Sequence, residues 1–113
     1  MPVNYSNFDE ALVAVKQNGL LLQYVPYMSN RMNLIHISLE AVKQNGLALE
    51  YLKVELRHDR IFALEAVKQN GLALQHASSS HQGDRAIILA ALKQNPMAIK
   101  YVINTPQRYN SNF

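Results

Sequence analysis

AVKQNGLALEYL, residues 41–52, returns three more times in this chain: as AVKQNGLLLQYV at 14–25, AVKQNGLALQHA at 66–77 and ALKQNPMAIKYV at 91–102. The marker lysines Lys16, Lys43, Lys68 and Lys93 lie 27, 25 and 25 residues apart. A unit of about 25 residues holds two short helices and their turns, and is too short for a strand–helix crossover. Repetition at this period is the mark of a stacked array in which each unit rests on its neighbours. The fold predicted is therefore all-α, a stack of four short helical hairpins.

Within each unit, apolar residues fall one and four places before the lysine: Val15 and Leu12, Val42 and Leu39, Val67 and Leu64, Leu92 and Leu89. That spacing puts one buried stripe on a helix. The stripe breaks at Asn-Gly. A glycine after asparagine suggests a left-handed C-cap, but the fourth copy reads Asn95-Pro96, and proline cannot take positive φ. Proline suits the first position of a helix with asparagine as N-cap before it. Asn18, Asn45, Asn70 and Asn95 are thus expected to start a second helix of about two turns. Asp59, Asp84 and Asn7 are the expected N-caps of first helices, Asn7 with Glu10 in a capping-box pattern. Leu34 breaks the pattern in unit two, so that helix is expected to begin earlier, near 29–33. The alanines two places before each lysine would let neighbouring helices approach closely. The units run over about 7–28, 32–56, 59–80 and 84–103, within one repeat domain over 1–103, and 104–113 is expected to be a C-terminal tail.

Composition narrows the function. The chain has 113 residues, a net charge of +3 and no cysteine. Disulfides, thiolate metal sites and cysteine nucleophiles are excluded. The mild charge permits an acidic partner but is far from the basic footprint of a nucleic-acid binder, so that reading is disfavoured. No apolar run approaches the roughly 18 residues of a membrane span. MPVNYSNFDE lacks the layout of a classical signal peptide. The expected place is the bacterial cytoplasm or, after delivery, the host-cell cytosol.

Units of the AVKQNGLALxYA kind, joined by turns such as ELRHDR at 55–60, resemble a bacterial repeat family known as domain of unknown function 4116. The resemblance runs from Phe8 to Val102. It implies an effector-associated protein of intracellular bacteria such as Legionella, and no catalytic residues come with it. Because the array carries no catalytic domain beside it, the resemblance implies a small regulator acting on another protein. The kind of partner it suggests is a ubiquitin-modifying effector enzyme of the deamidase or transglutaminase type.

The expected activity is accordingly non-enzymatic: inhibition by covering a partner's substrate-binding surface. Lys16 and Lys93 lack the glutamate three places back that Lys43 and Lys68 have (Glu40 and Glu65), which leaves them free to meet a partner. With them, Tyr24, Tyr27, Met28 and Arg31, in and beside the first linker, are the expected partner-binding residues. Terminal units of a solenoid normally turn polar outward. Here Val13 and Leu21 in unit one, and Ile87, Ile88 and Ile103 in unit four, do the reverse. They are the candidate self-association residues of a homodimer, unless a partner or the terminal segments with Tyr5, Phe8, Tyr109 and Phe113 cover them. The four histidines, His36, His58, His76 and His81, lack a carboxylate cluster, so no metal and no cofactor is expected. SSSHQGD at 78–84 reads as a turn between units. The alternatives are a self-assembly module and a nucleic-acid binder using the lysine ladder.

Overall fold

The computed structural model describes residues 4–103. Among them are four first helices, α1 (Phe8–Gln17), α2 (Arg31–Gln44), α3 (Arg60–Gln69) and α5 (Arg85–Gln94), with a single-turn helix α4 (Ser79–Gln82) before the last. Each first helix is followed by a six-residue 3₁₀ segment: Gly19–Tyr24, Gly46–Tyr51, Gly71–His76 and Pro96–Tyr101. A shorter 3₁₀ turn, Val54–Leu56, lies in the second linker. No strand occurs among the described residues, and none of the described helices is long and apolar enough to cross a membrane. The array is all-α.

The caps explain where elements begin. Asn18, Asn45, Asn70 and Asn95 each close the preceding α-helix through their own N–H, bonded to Ala14, Ala41, Ala66 and Ala91 O. The same side chains then accept the N–H of Leu20, Leu47, Leu72 and Met97. One residue thus satisfies orphan groups on two elements. Its backbone is extended, near φ −150°, and no described residue has positive φ. Asp59, Asp84 and Asn7 cap α3, α5 and α1 as the sequence predicts. Asn30 caps the fourteen-residue α2, which does begin earlier than its counterparts. Glu10 departs from the capping box, because its carboxylate takes the N–H of Asn4 and not that of Asn7.

The second element of each unit is a 3₁₀ helix, a type the apolar pattern alone does not distinguish from α. Its period of three aligns Gly19, Leu22 and Val25, and likewise Gly46, Leu49 and Leu52, as buried rows. A period of 3.6 would swing the last residue of each row off the core.

Every extensive contact lies within a unit or between neighbours: α1 on α2, α2 on α3, α3 on α5, and each 3₁₀ segment on the next. The result is 55 Å long and 24 × 15 Å across. Its core is a continuous file of Val15, Leu22, Ile37, Val42, Phe62 and Leu74, among others, each burying an aliphatic or aromatic side chain worth about 2 kcal/mol. Ala41, Ala66 and Ala91 are fully buried where helices meet, as close approach requires.

The glycines are there for the neighbouring unit. A Cβ on Gly19, Gly46 or Gly71 would stand 2.3 Å from the carbonyl oxygen of Ala41, Ala66 or Ala91, one unit further on. The freed space brings the glycine N–H to the next unit's glutamine. Gly19 donates to Gln44 Oε1 at 2.6 Å, Gly46 to Gln69 at 2.6 Å and Gly71 to Gln94 at 2.5 Å. The Gln-Asn-Gly core of the repeat is an inter-unit clasp. At Pro96 no unit follows within the described residues, and the glycine is gone.

Two linkers carry their own tethers. Arg57 Nε donates to Leu52 O at 2.9 Å, and Gln82 Nε2 to Leu74 O at 2.9 Å. The 78–84 stretch is therefore more than a turn: it holds α4, capped by Ser78, whose own His81 is buried.

Candidate functional surfaces

Three places on the array offer side chains to a ligand or partner. The first is the end of unit four. Leu22, Leu49 and Leu74 are 0, 5 and 0 % exposed because the following unit lies over them, whereas their counterpart Ile99 is 60 % exposed. Met97 and Leu89 are exposed beside it, as is Pro96. Lys93 and Lys100 stand at this same end, both exposed, with Lys100 Nζ 5.3 Å from the centre of the Tyr101 ring. The face is apolar with cationic side chains around it.

The second is a shallow groove of about 430 Å³ at the first linker, lined by Ser6, Phe8, Pro26, Tyr27, Met28, Asn30 and Asn33. The longer spacing of this unit is taken up by the fourteen-residue α2 and not by the linker, residues 25–30, and Tyr27 is exposed along the groove. Tyr24 ends the neighbouring 3₁₀ segment, exposed, its ring 6.0 Å from that of Tyr5. Phe8 packs against His36 at 5.7 Å between rings.

The third is a small pocket of about 140 Å³ where units two and three meet the third linker, lined by Arg57, Asp59, His76 and His81 among apolar walls. Burial pushes the His81 imidazole below its ordinary value; the neighbouring Asp84 and a hydrogen bond with the His58 backbone oppose this, while the Arg60 and His58 charges reinforce it. Asp84 is raised by burial, but the Arg60 guanidinium and the N–H groups of Ile87 and Ala86 outweigh that and hold its carboxyl below the usual range. Arg60 grips Asp84 with two bonds, each 3.0 Å, joining the head of α3 to that of α5. His76 Nδ1 lies 3.8 Å from Glu50. Beside it the Tyr51 hydroxyl is raised, chiefly by its hydrogen bond with Glu50. No group of three His, Asp or Glu is placed to hold a metal among the described residues.

The six expected partner-binding residues do not form one patch. Tyr27 and Met28 share the groove, and Arg31 opens α2 immediately after its cap. Lys16 is exposed in the last turn of α1, about 12 Å along the axis from Phe8 at 1.5 Å per residue. Lys93 stands three units away, at the other end of the array. Of the two expected Glu–Lys pairs only Glu65–Lys68 closes, at 3.6 Å.

The self-association set also divides. Ile87 and Ile88 are 0 and 1 % exposed, so they belong to the interior and not to an outer apolar face. The reason is register: with Ala91 they make up the buried side of α5, a helix that packs on α3 and on its own 3₁₀ segment. Val13 is exposed, Leu21 is half-buried, and Ile103 is half-buried with its N–H bonded to Gln82 O. Tyr5 and Phe8 do fold against the core, while Tyr109, Phe113 and the expected tail lie outside the described residues. The sequence reading missed Met97 and Ile99 as the exposed apolar pair. Their signal was positional, since they end the last copy.

Comparison with curated proteins and with solved structures returns no match. A family model does match, in three overlapping passes over residues 7–57, 35–80 and 59–105, each spanning about two of the units joined by the clasp. The chain belongs to the family described as domain of unknown function 4116.

Proposed function

We propose that this chain is a non-enzymatic protein-binding module that regulates a partner enzyme by covering its substrate-binding surface. The observation that carries the reading is the end of unit four. Ile99 stands in water at a position that the other three units bury, and Met97 and Leu89 are exposed where the other units half-bury their counterparts; exposed apolar faces of this kind are what protein partners cover. Lys93 and Lys100 beside it favour an acidic rim on the partner. The exposed tyrosines and Arg31 near the first linker offer a second contact of the type enriched at interfaces. A bacterial ubiquitin-modifying enzyme of the deamidase or transglutaminase class is the partner we favour, on the family resemblance alone.

The test is capture from bacterial and host-cell lysates with tagged protein, a moderate-salt wash, and a parallel capture with the Met97→Asp, Ile99→Asp variant. The reading expects one stoichiometric enzyme that the variant loses and whose activity the native protein lowers. An identical captured set from both proteins would sink the assignment of this face. Material released by salt alone would favour nucleic acid along the lysines.

A further inference from the structure

The three internal junctions are the same junction repeated. In each, a glycine lies against an alanine carbonyl of the following unit, with 2.3 Å to a would-be Cβ, and its N–H meets that unit's glutamine at 2.5–2.6 Å. In each, the alanine three residues after the asparagine cap of the following unit is fully buried: Ala48, Ala73 and Ala98. The 3₁₀ segments of consecutive units face one another there.

Unit one carries the receiving half, with no unit before it among the described residues. Ala14 holds the place of Ala41, Ala66 and Ala91, and Gln17, exposed in the last turn of α1, holds the place of Gln44, Gln69 and Gln94. Unit four carries the donating half, with Asn95, Ile99 and Leu89 in register. Each half departs from the pattern once where the fit is tightest. Pro96 replaces the glycine, so it has no N–H for a glutamine and puts ring carbons where even one methyl meets a carbonyl. Leu21 replaces the alanine that all three junctions enclose completely, and a larger side chain there overfills the joint.

We infer that the outer faces of units one and four fit a second copy of this chain head to tail, in continuity with the internal junctions, and that Pro96 and Leu21 block that assembly. A head-to-tail joint propagates from copy to copy, into a ring where the rotation closes and into an open filament where it does not. An array with two apolar ends therefore needs such a block, and here steric mismatch stands in for the polar capping units that solenoids commonly use. The inference holds whatever partner the exposed end of unit four takes.

The experiment uses the full chain and light scattering across a tenfold concentration range. The Leu21→Ala, Pro96→Gly double variant is expected to at least double in average mass as an open series, while the native protein stays constant. Adding Gln17→Ala, at a side chain that is exposed in the single chain, should return the mass to the native value; general stickiness would ignore it. Should the double variant fold poorly by circular dichroism, the two single variants serve. Mixed, they are expected to form a 1:1 pair, because Pro96→Gly restores the donating end of one chain and Leu21→Ala the receiving end of the other. Each alone should keep the native mass. An open series from the native protein, or no pairing in the mixture, would overturn the inference.

Discussion

The backbone N–H of Gly46 donates to the side chain of Gln69 at 2.6 Å, across 23 residues of sequence and one step of the stack. The glutamine reaches backward and the glycine forward, so each inner unit holds two neighbours by the same short motif. Removing either partner should be felt at a distance from the residue changed.

For the glycine, Gly46→Ala puts a methyl group 2.3 Å from Ala66 O, and that carbonyl is fixed inside a helix. The joint must open, at a cost of about 3 kcal/mol, the upper range for overpacking. Urea denaturation should show it, with Gly19→Ala and Gly71→Ala behaving alike. Pro96→Ala, at the unfollowed position, should change stability by less than about 1 kcal/mol. Equal losses at all four positions would mean that the glycines serve some other purpose.

For the glutamine, Gln69→Ala leaves the N–H of the buried Gly46 without an acceptor and should cost about 1–2 kcal/mol. Gln44→Ala and Gln94→Ala should match it. Gln17→Ala, with no unit before it in the described structure, should stay within about 0.5 kcal/mol. The chain thus carries its own control, readable in one set of thermal melts.

How much of this was legible follows from what a sequence records. The period, the asparagines as N-caps of the second elements and the early start of α2 could all be read, because each depends on local spacing and backbone chemistry. Pro96 even settled the cap argument. The same proline held a second message that went unread: Gly19, Gly46 and Gly71 are small because of a carbonyl about 20 residues away, and a contact at that range leaves no local trace. Ile87 and Ile88 were misplaced for a related reason, since composition shows that a unit is more apolar but not which side of the helix faces outward. The scatter of Lys16, Tyr27 and Lys93 over different regions is likewise a matter of three-dimensional placement.

Ser38 is fully buried on α2, and its hydroxyl has no hydrogen-bond partner. One unit back and one unit on, the same position is Ala11 and Ala63, both buried. Ser38→Ala should therefore stabilise the protein by about 1 kcal/mol, by removing a desolvated hydroxyl without leaving a void. A rise in the urea midpoint at unchanged slope would show it; a fall would mean the hydroxyl has a role in the fold.

His81 gives acid sensitivity a definite sign. Its folded value lies below the ordinary 6.5, burial being the first cause, so the unfolded chain binds the proton more readily. Stability is then full above about pH 6.5 and falls as pH drops from there through the lower folded value. Asp84, with its carboxyl held below the usual range, acts only at more acid pH, where its own stabilisation is lost as it protonates. Melting temperatures between about pH 7 and pH 5 should decline more steeply for the native protein than for His81→Gln. Parallel slopes would remove His81 as the cause.

Contacts that reach only to the neighbouring unit also shape how the chain comes to be folded. No unit waits for the far end of the polypeptide, because every junction closes between segments about 25 residues apart in sequence. Loop-closure entropy stays low, and folding of such topologies is fast. Units one and two can clasp while unit four is still being synthesised, so the growing chain exposes the face of only one unit at a time during translation.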